Sequence, residues 1–139
     1  MNLQAVGLEP GQASSIKLIL SVATKGFEAL LIEMLLVAHH FRMEAEVMLS
    51  LNHFFARGLD GVVNRFVGRD AVYAGQMVRE MESSVNLLEK LGVEPLMARA
   101  IVQRLQWSAS LGLSGKFGGR AVYREVIQAR EEIGLFKKP

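Results

Sequence analysis

The sequence predicts an all-α protein, a helical bundle around one long central helix. Three observations carry this. Apolar residues recur at three- and four-residue steps along most of the chain. Only three prolines occur, Pro10, Pro95 and Pro139, which leaves long stretches free to be helical. The single alternating stretch, Leu3–Val6, is too short to make a sheet alone.

The elements follow in order. A first helix is expected over about Gln12–His40 and a second over Glu44–Ala56. A glycine-punctuated link, Gly58 to Gly68, has room for a short helix. Met77, Val78, Met81, Val85, Leu88 and Leu91 then mark a helical face that stops at Gly92, a suitable left-handed cap, with Pro95 opening the next helix. Met97, Ala100, Ile101, Arg104, Leu105 and Ser108 trace that helix as far as Gly112. A second link, Gly112 to Gly119, leads to a last helix over about Arg120–Ile133 that buries Val122, Val126 and Ile127.

At 139 residues, half of them apolar and 22% charged, the chain fits one folded domain and excludes disorder. With no cysteine, a disulfide scaffold and thiol chemistry are both excluded. Sixteen Lys and Arg against fourteen Asp and Glu leave a net charge of only +2. The basic residues are interleaved with acids and lack an aromatic stripe, which argues against nucleic acid as a partner. No signal peptide is visible. The apolar region Ile16–Phe41 is broken by Lys17, Lys25, Glu28 and Glu33, so no membrane span is expected and a cytoplasmic protein is.

The first helix is the informative element. Roughly 29 residues span about 43 Å, long for a domain of this size. Its apolar residues lie nearly all round, from Ile16 to Val37, which marks a helix covered on most sides. So short a chain has few helices to wrap it, and a second subunit is the natural cover. A homodimer through this helix is expected.

One stripe of that helix is polar. Ser14, Lys17, Ser21, Thr24, Lys25 and Glu28 recur at close to helical spacing. The stripe is either a solvated face or a groove in which Lys17 meets a substrate as an acid/base. Both readings stand on the residues alone.

The stretch Gly11-Gln12-Ala13-Ser14-Ser15-Ile16-Lys17 resembles the helix that opens the C-terminal domain of β-hydroxyacid dehydrogenases. This is the superfamily of 3-hydroxyisobutyrate and 6-phosphogluconate dehydrogenases. The family pattern there is Gly, any residue, Gly, three residues, Lys, three residues, Asn. Gly11 and Lys17 match it; Ala13 replaces the second glycine and Ser21 the asparagine. Tyr73-Ala74-Gly75-Gln76-Met77-Val78-Arg79-Glu80-Met81-Glu82, followed by Leu91-Gly92-Val93-Glu94-Pro95, resembles a later family segment, with Arg79-Glu80 where Lys-Asp is common. The pairing is closest to a poorly characterised branch of NAD-dependent dehydrogenase-like proteins. The likeness covers about Gly7 to Ile127.

The resemblance implies part of an enzyme that oxidises a small hydroxy acid with NAD or NADP. Lys17 would be the catalytic acid/base and Ser21 a shortened substitute for its orienting asparagine. Gly11, Ser14 and Arg79 would bind substrate. Residues 1–11 would be the remnant of a strand and linker from a nucleotide-binding domain, and residues 12–139 the helical substrate-binding and dimerisation domain. The chain shows no Gly-x-Gly-x-x-Gly after a strand, so the cofactor would be bound mainly by a domain outside it, and the isolated chain is expected to be inactive. Two other readings remain: a non-enzymatic dimerisation module, and a small-molecule-binding module without hydride transfer.

Other motifs carry less. Ser114-Gly115-Lys116-Phe117 superficially resembles a phosphate loop, but Ser110 and Phe117 stand where glycine and Ser/Thr are needed. His39, His40 and His53 are the only histidines, and adjacent helical histidines diverge by about 100°, so helix-end or surface roles are expected and no metal site is. Many serines occur without a nucleophile elbow. Met34, Met43, Met48, Met77, Met81 and Met97 are expected to fill the core.

Overall fold

The computed structural model describes residues 9–117 and 121–134. Pro10 opens α1 (Pro10–His40) where its missing N–H is not needed, and the Glu9 N–H is answered by Gln12 Oε1 at 3.3 Å. The helix closes on a Schellman turn. Met43 N–H donates to Ala38 O at 2.9 Å and Arg42 N–H to His39 O at 3.0 Å. The left-handed residue of that turn is Arg42, at φ 56°. α2 (Glu44–Phe55) carries Glu44 and Glu46 in its first turn, at the positive end of the helix dipole. α3 (Leu59–Lys90), α4 (Leu96–Ser110) and α5 (Tyr123–Glu132) complete the described residues, all five elements being helices.

The expected cap at Gly92 is formed. Gly92 sits at φ 74°, and the Val93 N–H donates to Leu88 O at 3.0 Å, closing α3 before Pro95. The expected link from Gly58 to Gly68 is corrected: helix begins at Leu59 and runs without a break to Lys90. Gly68 is there for close approach, not flexibility. A Cβ at this position would lie 3.0 Å from the Ala121 carbonyl oxygen, where the chain passes over α3 on its way into α5. The proposed strand Leu3–Val6 lies outside the described residues.

The core is small and lies where α3 pairs with α4 and α5. Ala71, Ala74 and Leu88 of α3 meet Ala98 and Leu105 of α4, and Val126 and Ala129 of α5 close the end. Alanines at the seam let these helices pack closely. Of the residues expected to be buried in the last helix, Val126 is fully so, whereas Val122 and Ile127 are exposed. None of the six methionines named above is buried in the single chain.

α1 has the expected length, but the other helices of its own chain do not wrap it. Its inner half docks on α2 and α4, while on its outer half Leu18, Ile19 and Val22 are 72, 68 and 78% exposed. α2 contains no buried residue. No described helix is long and apolar enough to cross a membrane.

Candidate functional site

The residues singled out from sequence fall on two helices. Gly11, Ser14, Lys17 and Ser21 lie on the outer half of α1, and Arg79 lies on α3. Lys17 and Arg79 are both exposed, and neither forms an ion pair among the described residues. The hydroxyls of the stripe are turned partly onto their own helix: Ser21 Oγ donates to Lys17 O at 3.0 Å and Thr24 Oγ1 to Leu20 O at 3.0 Å. Such back-bonding satisfies each hydroxyl proton locally and leaves its oxygen lone pairs to accept. The single chain thus presents the stripe as an open edge. A closed pocket over Lys17 needs groups from outside these helices.

Two apolar clefts flank the inner half of α1 instead. One, of about 400 Å³, lies between α1, α2, α3 and α4, with Met34, Met43, Met81 and Met97 among its walls. The other, of about 470 Å³, is formed by α1 against the turn into α4, with Ala29, Ile32, Leu36, Val93 and Leu96. Neither includes Lys17 or Arg79.

Sequence reasoning missed the polar contacts that hold the helices against one another. Glu33 reaches from α1 to the start of α4, where its two carboxylate oxygens accept from Met97 N–H at 2.8 Å and Ala98 N–H at 2.9 Å. Asn64 Oδ1 of α3 does the same for α5, accepting from Tyr123 N–H at 2.9 Å. A signal was present in both cases. Pro95 and Val122 precede these helices and cannot cap them with a side-chain oxygen, so the acceptor must come from elsewhere. Under the α3–α5 contact, Asp70 Oδ2 pairs with the Arg130 guanidinium and accepts from Ser108 Oγ at 2.8 Å. Arg130 is 8% exposed and lies 5.4 Å from the Trp107 ring centre.

The histidines sit at the corner between α1 and α2. Glu44 pairs with His39 Nδ1 at 2.6 Å, and His40 packs edge-on against Phe41. Glu44 is held below the ordinary carboxylate value, first by a hydrogen bond with the backbone of its own residue and then by His39. Arg99 is held above its ordinary value, chiefly by Glu89 and further by Glu94. Among the described residues no group of three His, Asp or Glu side chains converges to hold a metal ion.

A nicotinamide dinucleotide does not fit the described residues as its main site. Its pyrophosphate is held in such folds by a glycine turn between a parallel strand and a helix, and the described elements are five helices.

A family model for a domain of unknown function, DUF1932, matches residues 38–108, slightly over half of the chain. The chain belongs to this family. DUF1932 is a C-terminal helical domain of the NAD-binding hydroxyacid dehydrogenase-like superfamily, which accords with the all-helical fold. The match runs from the inner end of α1 to Ser108 on α4, so it takes in Arg79 and not Lys17. No curated protein and no solved structure matches the chain.

Proposed function

We propose that this DUF1932 chain is the substrate-binding and dimerising helical domain of an NAD(P)-dependent oxidoreductase of a small hydroxy acid. The observation that carries the reading is the polar stripe of Ser14, Lys17 and Ser21 on a long helix whose outer half extends past the rest of its chain. In this reading Lys17 takes or returns the proton of the reacting hydroxyl, and Ser21 Oγ accepts a hydrogen bond beside it. Enclosing a lysine amine in apolar surroundings favours its neutral, proton-accepting form. The nucleotide-binding domain is the element that would close over α1 and supply the cofactor. Arg79 and Ser14 would hold the substrate carboxylate.

A homodimer through α1 belongs to the same reading. Leu18, Ile19 and Val22, left 72, 68 and 78% exposed in the single chain, are the apolar surface that such a partner would cover. Lys17's exposure in the single chain favours a second reading, in which the domain serves assembly alone. One experiment separates them. The chain is combined with a nucleotide-binding domain of the superfamily, and nicotinamide reduction is followed with a panel of small hydroxy acids. Turnover that falls by about 10²–10⁴ in Lys17→Ala, with the dimer intact, supports the enzymatic reading. No turnover, with Lys17→Ala leaving hydroxy-acid binding unchanged, leaves the assembly module.

A further inference from the structure

Four methionines meet in the space between the helices. Met34 comes from α1, Met43 from the head of α2, Met81 from α3 and Met97 from α4, and together they wall the apolar cleft of about 400 Å³. Helical spacing would have these side chains fill a core; here they surround a gap. Met34, Met81 and Met97 are half-buried and Met43 is 49% exposed. Packed helices close such space nearly to crystal density, so a gap of this size between four helices calls for an occupant. Its volume is that of a small-molecule site between the helices of a bundle.

The polar groups of the wall set the charge of that occupant. Glu33 is the one ionisable residue lining the cleft, and both of its oxygens accept from α4 amides. Its charge is therefore answered by the positive end of α4 and not left for a ligand. Ser84 is half-buried, and its hydroxyl makes no hydrogen bond among the described residues. A lone hydroxyl among apolar walls suits a ligand with one neutral polar atom. Thioethers make favourable contacts with aromatic rings, and their flexible chains adapt to a ring's outline. We infer that this cleft binds a neutral aromatic small molecule whose single oxygen accepts a hydrogen bond from Ser84 Oγ. A carboxylate or phosphate would be buried there with no cation to pair with it. Along α1 the cleft is about 20 Å from Lys17 even at Leu30, its nearest residue on that helix. The site is thus separate from the polar stripe and does not depend on the hydride-transfer reading.

The test titrates prodan, a neutral naphthalene ketone whose emission moves to the blue when it leaves water, into the full chain. The titration is repeated over a range of protein concentrations, with sedimentation reporting the oligomeric state at each. A blue shift with one micromolar site per chain is expected. Ser84→Ala should weaken it about fivefold, the loss of one hydrogen bond. Met34→Trp, which fills the cleft, should abolish it. Unlabelled 2-acetylnaphthalene should displace the probe, and 2-naphthoate, of the same shape but charged, should not. No blue shift, or one that survives in Met34→Trp, overturns the site. Equal displacement by 2-naphthoate overturns the neutral ligand class, and unchanged affinity in Ser84→Ala overturns the role of the hydroxyl. Binding that disappears as the chain self-associates gives the cleft to side chains of a second copy and overturns the ligand. If Met34→Trp fails to fold by circular dichroism, Leu87→Trp, on the α3 wall of the cleft, takes its place.

Discussion

Replacing Glu33 by alanine should lower the unfolding free energy by about 2–3 kcal/mol. The magnitude follows from three parts of one contact. Both carboxylate oxygens accept backbone hydrogen bonds at 2.8 and 2.9 Å, and these are the donors that α4 cannot satisfy from its own sequence. Loss of a capping side chain costs about 1 kcal/mol. Loss of a charge at the positive end of a helix costs about 0.3–1 kcal/mol. The site is half-buried, so the abandoned N–H groups are only partly recovered by water. Glu33→Gln keeps one acceptor oxygen without the charge and should cost about 1 kcal/mol. Urea unfolding followed through Trp107 fluorescence is the assay, because the single tryptophan sits on the helix being capped. Protein concentration must be held constant, since association adds to apparent stability. An alanine variant within about 0.5 kcal/mol of wild type would refute the view that this carboxylate anchors α1 to α4.

Three further outcomes follow from particular contacts. Asp70→Ala leaves the buried Arg130 guanidinium without its carboxylate and should cost about 3–5 kcal/mol, whereas Asp70→Leu with Arg130→Met should recover most of that loss; the same urea titration checks both. Arg42→Gly should raise the thermal midpoint, by about 0.5–1 kcal/mol in stability, because φ 56° is strained for a side chain and free for glycine. At the α1–α2 corner, the folded-state value of Glu44 is depressed, so its contribution is present above the ordinary carboxylate range and lost as pH falls through the lowered value. The difference in thermal midpoint between wild type and Glu44→Gln should therefore shrink below about pH 4.

Much of the fold was legible because helix signals are local. Apolar spacing gave the α4 and α2 limits to within a residue or two, and Gly92 with Pro95 marked the α3–α4 turn, since a left-handed cap and a fixed φ each have a sequence signature. The N-terminal half of α3 was not legible for the opposite reason. Gly58, Gly61 and Gly68 read as a link, but Gly68 answers to the Ala121 carbonyl, a contact across 53 positions of chain. The pairing of His39 with Glu44, in preference to His40, was likewise set by how the corner turns at Arg42.

The candidate site divides in the same way. Spacing alone puts Ser14, Lys17 and Ser21 on one stripe of α1, and shows that helix to be apolar on most of its other sides. Which groups hold the helices against one another is a different matter. Glu33, between α1 and α4, and Asn64 and the Asp70–Arg130 pair, between α3 and α5, act across 59 to 65 residues of chain, and no local pattern pairs such groups at that separation. Side-chain period is a property of neighbouring residues and is written into the sequence. The partner of a buried charge, and the bareness of the outer half of α1, are properties of how distant helices meet, so only the tertiary structure decided them.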